Sequence, residues 1–241
     1  MRAVTLTLWL SIFVLLVSVT SPSQEVSLSP EVTSSDLGSI FQRLEKVQRQ
    51  DPAQSRPYEV TRAYKVFQGD DKQPSFAVTV QINFVPPATE SYRITQASGQ
   101  SRGEKMVREL LDQEVEAAEN KRESEISRAN YDFVFLRQDK LGSLDEYVIR
   151  IIPKRKERYL FRGQIWVDNT SFHIRRMEGV PGKNPSFWVT GVHITMQFGE
   201  VRGRWIPTSF DAIATIRFLG QFTISGLNVA ADNPATIDPQ H

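Results

Sequence analysis

Apolar and polar side chains alternate with a period of two along Y-L-F-R-G-Q-I-W-V-D-N-T-S-F-H-I-R-R-M, residues 159–177. Tyr159, Phe161, Ile165 and Val167 fall on one face, with Arg162, Gln164 and Asp168 on the other, which is the signature of a strand with one buried side. Asp168-Asn169-Thr170-Ser171 supplies turn chemistry, because Asx side chains bond their own backbone. Phe172 and Ile174 then resume the period, with Arg175 and Met177 opposite, so the stretch predicts an antiparallel hairpin. The same alternation marks Tyr58, Val60, Tyr64 and Val66, then Phe76 to Phe84, and then a more polar strand at Tyr92 and Ile94. Their short links predict an antiparallel meander, since parallel neighbours need a long crossover.

Two segments follow the helical period instead. Leu37, Ile40, Phe41, Leu44 and Val47 form one stripe behind a possible cap at Ser34, Ser35 or Asp36, and Asp51-Pro52 ends it. Met106, Val107, Leu110, Leu111, Val115 and Ala118 form a second stripe, in a helix expected from Glu104 to Arg128 whose later half is charged. After Asn130 the alternation returns: Tyr131 to Leu136, Tyr147 to Ile151, the hairpin, Trp188 to Phe198, Ile206 to Phe218, and Phe222 with Ile224. About ten strands and two helices, kept apart in sequence, predict an α+β fold.

Ahead of this domain, Leu6 to Val19 is broken only by Thr7, Ser11 and Ser18, with Arg2 before it and Ser21 and Ser23 behind. That order predicts a secretory signal over residues 1–23, cleaved before Gln24, because the run is short of the roughly 20 residues that span a bilayer. Residues 24–35 read as a flexible lead-in, 36–232 as a single domain and 233–241 as a tail. The alternative is a retained N-terminal anchor.

Composition narrows the chemistry. The 241 residues are 40% hydrophobic and 24% charged, with a net charge of +1, which argues against a nucleic-acid partner. Without cysteine no disulfide, thiolate site or lipidated N-terminal cysteine is expected. His173 and His193 lie mid-strand and His241 is terminal, with no metal-ligand spacing between them, so no metal or cofactor is expected. Gly99-Gln100-Ser101-Arg102-Gly103 matches G-x-S-x-G, the elbow of serine hydrolases. That elbow belongs to parallel sheets, and Ser101 with Glu104 also spells a capping box, which explains both residues without a reaction. Capping is the preferred reading and the protein is expected not to be an enzyme. The basic loop Lys154 to Arg158 is read as solvated, with anionic headgroups or an acidic patch as the other reading.

One-sided strands with only two helices to cover them suggest a strongly curved antiparallel sheet around a pocket. On Asn130-Tyr131-Asp132-Phe133, Tyr147 to Lys154, Phe161-Arg162-Gly163-Gln164-Ile165-Trp166-Val167-Asp168, Phe172-His173-Ile174-Arg175-Arg176 and Trp205-Ile206-Pro207, the chain resembles the outer-membrane lipoprotein-sorting family, the carriers related to LolA and LolB. The likeness covers roughly residues 58–230. It implies a half-open β-barrel of about 10–11 strands, closed by helices over an apolar cavity that takes the acyl chains of a lipoprotein crossing the periplasm. The missing cysteine makes a soluble carrier the closer analogue.

The expectation is therefore a monomeric periplasmic carrier with lipid or lipoprotein acyl chains as ligand and inner- or outer-membrane transport partners. Inward parity assigns Val78, Val80, Ile82, Phe133, Tyr147, Ile149, Phe161, Ile165, Val167, Ile174, Ile194 and Phe210 to the cavity wall. The alternatives are a non-enzymatic envelope sensor or structural protein on the same scaffold, recognising a polypeptide, and a serine esterase using Ser101.

Overall fold

The computed structural model describes residues 34–50, 56–86, 89–141 and 144–230. The expected signal over 1–23, most of the lead-in, the Asp51-Pro52 stop and the tail lie outside them. Helix α1 is Ser34–Gln50, followed by β1 Tyr58–Gln68, β2 Phe76–Val85 and β3 Thr89–Gly99. Helix α2 is Ser101–Glu119 and α3 the single turn Lys121–Ser124. Seven strands complete the chain: β4 Tyr131–Leu141, β5 Leu144–Pro153, β6 Phe161–Asp168, β7 Ile174–Pro181, β8 Val189–Val201, β9 Arg204–Ile216 and β10 Gly220–Ala230.

All ten strands form one antiparallel sheet in the order β3-β2-β1-β10-β9-β8-β7-β6-β5-β4. The last strand pairs with the first, Tyr64 opposite Gly226, so the two ends of the domain meet in the middle of the sheet. Among the described residues the strands number ten, within the expected 10–11. The sheet is open, with β3 and β4 as its edges among the described residues.

One row of side chains crosses the whole sheet: Phe135, Ile149, Ile165, Met177, Met196, Phe210, Gly226, Tyr64, Val78 and Ala97 are successive cross-strand partners. Cross-strand partners share a face, and this is the face both helices cover. A Cβ on Gly226 would come within 2.7 Å of the Tyr64 ring, so glycine there gives the buried tyrosine its room.

The helices divide that face. Ile40, Phe41 and Leu44 of α1 bury against Tyr131, Ile149, Ile151, Phe161, Ile165 and Val167 of β4, β5 and β6. Val107 and Leu111 of α2 bury against Val60, Tyr64, Val78, Val80, Ile82 and Phe210, on β1, β2 and β9. Ile194 and Met196 of β8 pack against both groups and mark the seam. The two stripes expected from sequence are the two faces that bury.

Three local readings need correction. Met177, expected outward, is 8% exposed within the α1 core, because the ladder steps from Trp166–Arg176 to Val167–Ile174. Arg175 is the extra residue of that bulge, and an extra residue turns its successors to the opposite face. Helix α2 stops at Glu119 instead of Arg128. The Asn120 side chain there bonds the Glu116 carbonyl at 2.8 Å, competing with the helical ladder. Finally, the N-cap of α2 is Gln100, without a side-chain cap bond, so the Ser101–Glu104 box does not form and Glu104 pairs with Arg108 at 2.8 Å.

Candidate functional site

An apolar pocket lies between α2 and the strands nearest the seam. Its roof is Met106 and Leu110, and its floor is Val192 and Ile194 of β8, Phe210, Ala212 and Ala214 of β9, and Ile224 of β10. The space has a simple cause. Val192 faces Ala214 and Ile194 faces Ala212, so β9 offers small side chains beneath α2 where its neighbours β8 and β10 carry Val192, Ile194, Phe222 and Ile224. Pro181, Pro185, Val189 and Ile216 surround one end. The volume is about 100 Å³.

A larger cavity of about 620 Å³ continues at the seam. Gln48 and Arg49 from the end of α1, Glu114, Ala117 and Ala118 from α2, and Lys121 and Ser124 from α3 form one side. Tyr58, Phe84, Glu90, Met196 and Pro207 form the other. Met196 is two residues beyond Ile194 on the same face of β8, so the two spaces follow one another along that strand. Tyr58 and Phe84 stack at 5.2 Å on the cavity wall. The larger volume falls within the roughly 300–1,000 Å³ usual for small-molecule sites.

Beside this cavity sits a buried polar network. Arg62 lies at an inward position of β1 and is 6% exposed. Its Nη1 donates to Tyr64 Oη at 2.8 Å and to both Glu114 oxygens at 3.1 Å, while Nε donates to Asn228 Oδ1 at 3.0 Å. Asn228 in turn donates to the Pro207 carbonyl at 2.7 Å. Burial alone would weaken the guanidinium's charge, but Glu114 and Tyr64 outweigh it and hold Arg62 above its ordinary range. Burial, reinforced by Glu114, raises the Tyr64 phenol. Glu90 on β3 faces the same cavity, and burial together with the Glu114 charge pushes its carboxyl up to about 7, against the opposing pull of Arg62. One guanidinium thus serves two carboxylates. Further clips hold α2 down: Tyr92 Oη donates to Asp112 at 2.7 Å and Arg158 pairs with Glu116.

Of the residues assigned to a cavity wall by parity, Ile194 and Phe210 line the apolar pocket. Val78, Val80 and Ile82 pack in the core under α2. Phe133, Tyr147, Ile149, Phe161, Ile165, Val167 and Ile174 pack in the core under α1. Alternation identified the covered face but not where along it space remains. The small residues Ala212 and Ala214 were the signal for that, and Arg62, at an inward position between Val60 and Tyr64, was the signal for the network.

Ser101 opens α2, in a cleft with Glu104, Lys105, Arg108, Glu109 and Asp112. His173 stacks on Trp205 at 4.5 Å, and His193 lies 3.4 Å from Glu178. The glycines of G-x-S-x-G have packing reasons: a Cβ on Gly103 would meet Phe76 Cβ at 2.2 Å, and one on Gly99 the Ser75 carbonyl at 2.3 Å. Asp168 fulfils its turn role. Its Oδ1 accepts from the Ser171 and Thr170 amides at 2.6 and 3.1 Å, and Oδ2 from Arg175 at 3.0 Å. Burial would raise the carboxyl, but the bonds from Ser171 and Arg175 hold it below its usual range.

The model of a family of unknown function, DUF5686, matches residues 124–231. No curated protein matches the sequence. Among solved structures the chain is similar to a LolA superfamily protein from Nitrosomonas europaea, at 14% identity and a TM-score of 0.40 over 83% of this chain and 94% of that one. It is similar to a putative outer membrane lipoprotein-sorting protein domain from Vibrio parahaemolyticus, at 9% identity and a TM-score of 0.42 over the same shares. A DUF1329 family protein from Desulfovibrio piger is similar at 10% identity and a TM-score of 0.43, again over 83% and 94%.

Proposed function

We propose that this protein holds the apolar chain of a lipid or lipoprotein along β8 and β9 beneath α2, as a carrier in the periplasm that performs no chemistry. The observation that carries the reading is the succession of the apolar pocket at Ile194 and Phe210 and the larger cavity at Met196 and Pro207. A chain laid through both would touch hydrocarbon in the first and reach polar side chains in the second, as an amphiphile requires. Each buried CH₂ contributes about 0.8 kcal/mol, so a few in the pocket and more along the cavity wall give affinity without a charged anchor. Export through the apolar N-terminal run would place it there. Among the described residues no helix is long and apolar enough to cross a membrane.

The test is capture of a fluorescent fatty-acid probe, with lipid mass spectrometry on protein purified without detergent. A saturable probe signal competed by the co-purified lipid supports the carrier. Protein that is reproducibly empty and takes up no probe overturns it. The open edges β3 and β4 favour the second reading, a polypeptide sensor, because an unpaired edge can accept another strand.

A further inference from the structure

The β7–β8 loop and the β9–β10 turn lie side by side at one end of the sheet, joined where the Arg217 amide donates to the Trp188 carbonyl at 2.9 Å. Together they display large apolar side chains to solvent: Phe218 is 94% exposed, Phe187 74% and Trp188 56%, with Leu219 beside them. Leaving this much aromatic surface in water is unfavourable and marks a surface that meets something apolar. Phe187 and Trp188 contact edge to face at 5.6 Å, and the Arg217 guanidinium lies 4.7 Å over the Phe187 ring. The rim is therefore aromatic and cationic together. Lys183 is exposed in the same loop, and exposed Lys156 stands on the adjoining β5–β6 loop, which touches this one through the Gly182–Leu160 backbone bond. Acids also stand at this end: Glu157 beside Lys156, exposed Glu109 of α2 at the pocket with Pro185, and Asp70 and Asp71 on the β1–β2 turn beyond β10. The two aromatic segments themselves, residues 182–188 and 217–219, carry only the positive charges of Lys183 and Arg217.

We propose that this rim docks on a bilayer surface carrying anionic headgroups. Trp and Phe side chains settle at the level of the headgroups, and Lys and Arg beside them are drawn by the negative surface potential. The position matters as well as the composition. Pro185 of the same loop, Val189 at the start of β8 and Ile216 at the end of β9 line the apolar pocket, so docking sets its end against the membrane. The inference goes beyond chain binding and does not depend on it: docking is read at the rim with vesicles present, and chain uptake without them.

The chain has no native cysteine, so single labels can be placed in the full-length protein. Phe218→Cys carrying an environment-sensitive fluorophore reports on the rim, and Val85→Cys, exposed at the end of β2, reports on the opposite end. With vesicles of phosphatidylglycerol and phosphatidylethanolamine, the label at 218 should brighten and shift to the blue while that at 85 stays unchanged. High salt should weaken the response by screening. Lys183→Gln and Arg217→Gln should each lower vesicle affinity about 5-fold. A silent label at 218, an equal response at 85, or an equal response to neutral phosphatidylcholine vesicles overturns the proposal. So does a response that appears without vesicles and scales with protein concentration, which would place a second copy of the chain on the rim.

Discussion

Under α1 the sheet is sealed by large side chains: Tyr131, Ile149, Ile151, Ile165 and Val167 are at most 2% exposed, and Leu44 fills between them at 1%. Under α2, β9 offers Ala212 and Ala214 where its partner strand carries Ile194 and Val192, and a pocket remains. The two halves differ again in charge. The α1 helix is tied at its side by Arg128, whose guanidinium lies 3.2 Å from Glu45 and, as the main cause, holds that carboxyl below its ordinary range. The α2 helix is tied from beneath, by an arginine buried in the sheet. One half is built to stay shut, and the other couples its cover to a polar network beside open space.

One of the two largest effects should come from that network. Arg62→Met removes the buried positive charge and leaves the half-buried Glu114 without its partner. The cost should be about 3 kcal/mol, the low end for breaking a buried pair, because water still reaches Glu114. Urea unfolding should show it, and Glu114→Gln in the same chain should restore part of the loss. If Arg62→Met were neutral, α2 would not depend on the network. In the α1 half the largest loss should be apolar: Ile165→Ala should cost about 2–5 kcal/mol by leaving a cavity in packed surroundings. It should leave fatty-acid probe uptake unchanged. Loss of uptake at full stability would move the binding face under α1.

Glu90 gives a smaller effect with a definite sign. Its carboxyl is raised to about 7 in the folded protein from an ordinary value of 4.5. The folded state therefore binds the proton more tightly than the unfolded chain, and stability falls as pH rises between those values. The contribution is fully present below about 4.5 and lost above about 7. Glu90→Gln should match the wild type near pH 4.5 and exceed it on the order of 1–2 kcal/mol at pH 8. Parallel stability curves across that range would show that Glu90 ionises freely.

Much of this contrast was legible before the structure, and the illegible part has a physical reason. Alternation is a local property, so it found the strands, the covered face and both helix stripes. Met177 escaped it because the bulge at Arg175 adds a residue without any signal in the pattern. Arg62 was passed over because a charged residue at an inward position reads as an interruption, although it is where a buried network has to enter. Strand order was beyond reach, since the pairing of β1 with β10 joins residues more than 150 positions apart. The site depended on that order: only when β8, β9 and β10 lie together under α2 do Ala212 and Ala214 become a gap.

The smallest expected change in stability separates the halves most cleanly. Val192 lines the apolar pocket opposite Ala214, so an added ring has free volume to enter. Val192→Phe should therefore change stability by less than about 1 kcal/mol, with filled space offsetting slight crowding. Ile165→Phe makes a smaller enlargement, but where Ile149, Met177 and α1 leave no such space. Overpacking there should cost about 1–3 kcal/mol. Ligand binding should respond in the opposite sense. Val192→Phe occupies the floor on which an acyl chain would lie and should abolish probe uptake, whereas Ile165→Phe, in whatever fraction folds, should bind as the wild type does. If Val192→Phe destabilised the protein as much as Ile165→Phe and bound the probe normally, the α2 half would be as closed as the α1 half.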